Sequence, residues 1–168
     1  TIETSLTPNT TVQRFLTAYT DFGDSLPSAS ISTHTFAAVP DTTNQEPFSL
    51  VSENSLTFDW SSGTAVVGYN PSYTEYEISH STHSDFSLNV STNFTVGLSS
   101  AIAGLSPNTT YYLRVRAKGL NNAYTDFPQA VSTATFAEAP SAGTFENVYI
   151  SSLVFTWSDS LNPAGTSF

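Results

Sequence analysis

An all-β sandwich is the fold this sequence predicts, on three observations. Apolar residues alternate with period two along most of the chain, turn residues interrupt the alternation at short intervals, and blocks of sequence recur after about 98 residues. Helical spacing is nearly absent. Ser55-Leu56-Thr57-Phe58-Asp59-Trp60 and Tyr111-Tyr112-Leu113-Arg114-Val115-Arg116-Ala117 put apolar residues at i, i+2 and i+4, which is one face of a strand. Thr, Val, Ile, Tyr and Phe dominate these runs, as pleated surfaces favour.

Composition removes several chemistries. The 168 residues include no Cys and no Met, which excludes disulfides, thiol catalysis, Cys-ligated zinc and iron–sulfur clusters. Lys and Arg total 4 against 14 Asp and Glu, a formal net charge of −10. The cations are Arg14, Arg114, Arg116 and Lys118, too few against 14 carboxylates to neutralise phosphates or to hold an anionic membrane. Ser and Thr number 26 and 25, roughly 30% of the chain, and charged residues are only 11%. With 39% hydrophobic and 13% aromatic residues the chain still has the means to bury a core. No apolar run reaches the roughly 18 residues of a membrane-spanning helix. A polar but uncharged, Lys-poor, Cys-free chain fits a secreted prokaryotic β-protein.

The repeat sets the domain organisation. Leu6-Thr7-Pro8-Asn9-Thr10-Thr11 recurs as Leu105-Ser106-Pro107-Asn108-Thr109-Thr110, and Thr35-Phe36-Ala37-Ala38-Val39-Pro40 as Thr135-Phe136-Ala137-Glu138-Ala139-Pro140. Ser55–Trp60 recurs as residues 152–157, and Phe48 and Val51 as Phe145 and Val148. Residues 40–139 therefore read as a complete module, residues 1–39 as the C-terminal part of one, and residues 140–168 as the N-terminal part of another. A sandwich needs both sheets to cover its apolar faces. The expectation is thus a piece of a longer tandem array, a view the opening Thr1 without a leader also fits. Completion of the cut modules by strands from neighbouring chains is the weaker alternative, because the two ends joined would still lack central strands.

In the middle module the strands are expected near 48–52, 55–61, 73–81, 85–90, 94–102, 111–118 and 130–135. Leu56, Phe58, Trp60, Tyr76, Ile78, Ile102, Leu105, Tyr111, Leu113, Val115 and Ala117 are expected to point inward.

These residues carry a resemblance. The middle module resembles a fibronectin type III domain, and the flanking pieces resemble parts of two more, so that the resemblance covers the whole chain. Leu56-Thr57-Phe58-Asp59-Trp60 is similar to the family's second strand with its inward Trp, and Trp157 stands at the same place in the third module. The run from Leu105 through Pro107 and Tyr111 to Ala117 is similar to the family's L-x-P-x-T-x-Y-x-x-x-V-x-A signature. The resemblance implies a seven-stranded, two-sheet sandwich in which the Tyr111 hydroxyl bonds back to the backbone near the turn. The first partial module departs from it. Val12 replaces the Tyr and Arg14 an inward apolar residue, which removes the corner bond and leaves the strand free to shift. No Arg-Gly-Asp is present: Arg14, Arg114 and Arg116 precede Phe15, Val115 and Ala117, so integrin-type adhesion does not carry over.

Candidate chemistry is sparse. His80, His83 and Asp85 form H-x-x-H-x-D, a metal pattern only if a bend brings opposite strand faces together; exposed polar residues at a strand end is the simpler account. Asp21 and Asp24 flank Phe22-Gly23, as a calcium site or ordinary turn chemistry would. Tyr69, Tyr73 and Tyr76 offer rings for a sugar, or else pack the loop and core. Sequons occur at Asn9, Asn89, Asn93 and Asn108, the first and last also being turn residues suited to a left-handed conformation. There is no G-x-S-x-G elbow, no P-loop and no paired-carboxylate signature.

Pro-terminated, Gly-free junctions at 36–40 and 136–140 hold neighbouring modules semi-rigidly. The expected role is a non-catalytic structural module of an extracellular or cell-surface repeat protein (stalk, adhesin, sheath or filament). Its partners would be neighbouring modules, copies of itself or glycans, with no cofactor, nucleic acid or membrane insertion. The alternative is a spacer or carbohydrate-binding accessory module of a secreted polysaccharide-acting enzyme.

Overall fold

In the computed structural model, which describes residues 2–43 and 46–167, the middle of the chain folds into two antiparallel sheets face to face. To name its parts in chain order, the first segment supplies β1 (Thr11–Arg14), β2 (Tyr19–Thr20), β3 (Gly23–Asp24) and β4 (Ile31–His34). The middle module supplies β5 (Phe48–Ser49), β6 (Ser55–Asp59), β7 (Gly63–Thr64), β8 (Gly68–Tyr69), β9 (Glu75–Ser81), β10 (Ser91–Thr95), β11 (Ser99–Ala103), β12 (Thr110–Lys118) and β13 (Val131–Ala134). The last segment supplies β14 (Thr144–Glu146) and β15 (Val154–Thr156).

One sheet runs β11-β6-β5 and the other β10-β9-β12-β13. Period-two alternation produces their shared core. Along β12 the pattern is strict, with Tyr111, Leu113, Val115 and Ala117 buried and the residues between them partly exposed. Opposite them β6 contributes Leu56 and Phe58, followed by Trp60. The eleven residues expected to point inward are the eleven that form the core cluster, with Phe48, Val51, Ala37 and Val131 packed on its rim. Rings run through it in a chain, Phe48 to Phe58 at 5.8 Å, Phe58 to Trp60 at 5.5 Å and Trp60 to Tyr76 at 5.7 Å between centroids, within the range where aromatic pairs attract.

The strand limits differ from expectation in three places, each for a backbone reason. The first strand stops at Ser49 because Leu50 adopts φ 50°. No strand forms over 85–90, where Phe86 and Asn89 are left-handed at φ 56° and 52°. The strand expected over 94–102 is two strands: β10 pairs with β9 and β11 with β6, so the chain crosses from one sheet to the other at 96–98. A short hairpin, β7–β8, was not expected. Gly63 is required there, since a Cβ on it would lie 2.1 Å from the Gly68 carbonyl oxygen.

The outer face of β9 is buried as well, at Glu77 and Ser79, where alternation predicts exposure. Arg side chains and loop aromatics cover it. The Arg114 guanidinium sits 3.9 Å from the Phe86 ring centroid and 4.1 Å from that of Phe127. Arg116 lies over Tyr124 and Phe127 and forms an ion pair with Glu77 at 2.8 Å.

The flanking segments repeat the middle module's pairings. β1 and β4 pair Thr11 with His34 and Arg14 with Ile31; β12 and β13 pair Thr110 with Ala134 and Leu113 with Val131. The register is therefore not shifted by Val12 or Arg14, contrary to expectation. Arg14 instead turns to solvent, where its Nε donates to Glu3 Oε1 at 2.8 Å. At the other end Phe145 pairs with Phe155 as Phe48 does with Phe58. Trp157 stacks on Phe155 and is 50% exposed, against 1% for Trp60.

Candidate functional site

The most constructed polar regions lie around residues 36–41 and 136–141, at the two ends of the sandwich, called the joints below. Each joint begins with a Pro-Asn-Thr-Thr turn whose Asn is left-handed, φ 49° at Asn9 and 44° at Asn108. Asn tolerates that conformation better than most residues. Its N–H donates across the hairpin base, Asn9 to the Phe36 carbonyl and Asn108 to the Phe136 carbonyl, both at 3.0 Å. Thr35 Oγ1 donates to the Thr7 carbonyl and accepts the Thr10 N–H; Thr135 Oγ1 does the same with Ser106 and Thr109.

From this braced turn the Asn side chain reaches a loop further along the chain. Asn9 Nδ2 donates to Thr74 Oγ1 at 2.8 Å, and Asn108 Nδ2 to Thr166 Oγ1 at 3.0 Å. At the first joint Asn9 Oδ1 also accepts the Leu120 N–H at 2.7 Å, and the Tyr73 hydroxyl donates to the Asn9 carbonyl at 2.9 Å. Asn9 is 1% exposed, with every polar group occupied.

A second Asn grips the linker itself. Asn70 Oδ1 accepts the Ala38 N–H at 2.7 Å while its Nδ2 donates to the Ala38 carbonyl at 2.8 Å and the Ser62 carbonyl at 2.7 Å. Asn162 repeats this on Glu138, at 2.8 and 2.7 Å, and on the Asp159 carbonyl at 2.8 Å. Just beyond, Asp41 and Ser61 form a β-bridge, and Ser141 N–H donates to the Ser158 carbonyl.

Sequence inspection missed Asn70, Thr74, Asn162 and Thr166. A signal was there: Asn-Pro-x-x-Thr stands at 70–74 and again at 162–166. Its spacing is 92 residues where the flanking Trp60 and Trp157 are 97 apart. The β7–β8 hairpin accounts for that offset, since it lies between Trp60 and Asn70 and makes that stretch longer than the one from Trp157 to Asn162.

The residues singled out from sequence fall as follows. Tyr111, behind Pro107 at the hairpin base, accepts the Ser106 N–H on its hydroxyl at 2.9 Å, a tyrosine corner. His80, His83 and Asp85 diverge. His80 turns toward the core edge, its ring 6.3 Å from that of Tyr111, and burial pushes its imidazole below the ordinary value. His83 is exposed, and Asp85 Oδ1 accepts the Ser87 N–H. Among the described residues no three His, Cys, Asp or Glu side chains converge for a metal. Asp21 and Asp24 lie exposed on the β2–β3 hairpin. Tyr76 is core; Tyr69 and Tyr73 are each 54% exposed.

The four sequons separate into two kinds. Asn89 and Asn93 are exposed and line one open groove of about 480 Å³ with His80, Thr82 and Tyr111. Asn89 reaches it from a loop and Asn93 from β10. Asn9 leaves the set of open acceptors, because its Nδ2 is buried against Thr74. Asn108 is exposed but holds Thr166.

A three-stranded sheet packed on a four-stranded one, with the chain crossing between them after β10 and a tyrosine corner at the start of β12, makes up residues 48–134. The sandwich is fibronectin type III-like. Solved structures similar to this chain include chicken CNTN1 FN1–FN3 domains, at 19% identity and TM-score 0.45 over 79% of this chain. This chain spans 43% of that one. A structure described as that of a myokine matches at 15% identity and TM-score 0.45, over 60% of this chain and 98% of its own. The fibronectin type III domain of human fibronectin type III domain containing protein 3 matches at 14% and 0.45, over 60% and 84%. No protein-family model and no curated protein matches the chain. Among the described residues no helix is long and apolar enough to cross a membrane.

Proposed function

We propose that this chain is a non-catalytic structural part of an extracellular or cell-surface repeat protein, a stalk, adhesin, sheath or filament, whose work is to hold fibronectin type III-like modules in a stiff line. One observation carries the reading: both joints are pinned by the same set of side-chain-to-backbone bonds, although a linker serving only to connect modules needs none of them. Buried amide–backbone bonds resist bending because opening the joint exposes donors and acceptors already matched to each other. Pro40 and Pro140 add covalent stiffness at the same place.

Electron microscopy of the native protein tests this. Straight, ordered rods or polymers with a repeat of one module length support it. Flexible, kinked particles count against it. Retention of the protein on insoluble polysaccharide, with no ordered particles, would favour instead an accessory module of a polysaccharide-acting enzyme.

A further inference from the structure

We infer that the Pro-Asn-Thr-Thr turn and the Asn-Pro-x-x-Thr loop are the two halves of one head-to-tail coupling site. Each module carries the turn at its C-terminal end and the loop at its N-terminal end, and the partner each end fits is the next module of the same kind. This rests on the stiff-line reading above and names the site that produces it.

The correspondence is bond by bond. Asn9 to Thr74 matches Asn108 to Thr166, and Asn70 around Ala38 matches Asn162 around Glu138. Thr74 N–H donates to the Pro71 carbonyl at 3.0 Å and Thr166 N–H to the Pro163 carbonyl at 3.2 Å, which presents both hydroxyls from the same turn. The side chains that carry the shared bonds are identical at the two joints, Asn9, Asn70 and Thr74 at the first and Asn108, Asn162 and Thr166 at the second. The residues gripped through their backbone differ, Ala38 against Glu138 and Ser62 against Asp159, and Tyr73 and Glu138 each add a side-chain bond at one joint alone. Two joints that share these bonds repeat one kind of module-to-module contact, so successive modules wind as a regular rod.

The site also assigns a role to two of the sequons. Asn9 and Asn108 are coupling residues, and a glycan on Nδ2 of either would remove the donor that reaches Thr74 or Thr166. Asn89 and Asn93 make none of these joint bonds and line the groove beside Tyr111.

Amide hydrogen exchange on the full chain, wild type against Asn9→Gly and Thr74→Val, tests the coupling. Glycine keeps the left-handed turn and removes only the side chain; valine keeps the shape of threonine without its hydroxyl. The Leu120 amide is the reporter, since its partner is Asn9 Oδ1. Asn9→Gly is expected to raise Leu120 exchange at least tenfold, and either variant to speed protease cleavage at 36–40, with Ile78 and Val115 amides as protected as before. Unchanged Leu120 exchange and linker cleavage would overturn the inference. So would loss of protection at Ile78 and Val115, because the turn would then belong to the core of the middle module. The stiff-line reading fails separately: native particles without rods would sink it and leave a positive exchange result standing.

Discussion

Asn70 holds Ala38 by both edges of its amide, accepting the Ala38 N–H at 2.7 Å and donating to the Ala38 carbonyl at 2.8 Å. A side chain thus pairs with the linker as a neighbouring strand would, and it does so 6% exposed. Replacing it leaves the Ala38 N–H and carbonyl without this partner, while the Ser62 carbonyl keeps the Asn70 N–H at 3.3 Å. Each such buried loss costs about 1–3 kcal/mol, reduced where water can enter. Asn70→Ala is therefore expected to destabilise the middle module by about 2–3 kcal/mol, read from urea melts, and to make residues 36–40 the first site of protease cutting.

Tyr111 closes the other end of the sandwich. Its hydroxyl is the acceptor for Ser106 N–H, and its ring is part of the core. Tyr111→Phe keeps the ring and deletes the bond, with an expected cost of about 1–2 kcal/mol in chemical denaturation. Tyr111→Ala adds a cavity and is expected to cost about 3–5 kcal/mol.

Arg114 ties two loops together through its flat face. Phe86 comes from the loop before β10 and Phe127 from the loop before β13, and the guanidinium lies between them. Lysine cannot stack on two rings in this way. Arg114→Lys is expected to lower stability by about 1 kcal/mol and to raise amide exchange in residues 84–90 before any other segment.

His80 makes stability depend on pH in a defined direction. Burial holds its folded-state imidazole below the ordinary value of about 6.5, so the unfolded chain takes up the proton more readily. The contribution of the neutral ring is complete above that ordinary value and is lost as pH falls through it toward the lower folded value. Melting temperature should drop over that window, and His80→Gln should flatten the drop. An unchanged pH profile in the variant would assign the loss to carboxylates elsewhere.

Glycan placement follows from exposure. In a host with the machinery, peptide mapping is expected to find sugar on Asn89 and Asn93 and none on Asn9, whose Nδ2 is buried against Thr74 once the joint has formed.

The core was legible because alternation is local: Leu56, Phe58 and Trp60, or Tyr111 through Ala117, declare their face within a few residues. The division of residues 91–103 between two sheets was not, since nothing local to Val96–Leu98 distinguishes a long strand from a crossing. Phe86 and Phe127 were equally silent, being brought to Arg114 only by the closed fold. The joint was half legible. Asn9 and Asn108 stood out in the repeat, but Asn70 and Asn162 fell out of phase because the β7–β8 hairpin lengthens one copy.

The orientation of one module relative to the next is the quantity at the centre of this account, and residual dipolar couplings measure it directly. Amide couplings from β1 and β4 and from β9, β12 and β13 of the full chain are predicted to fit a single alignment tensor. Two tensors of different magnitude would mean that the first joint bends freely, and the stiff-line account would be wrong.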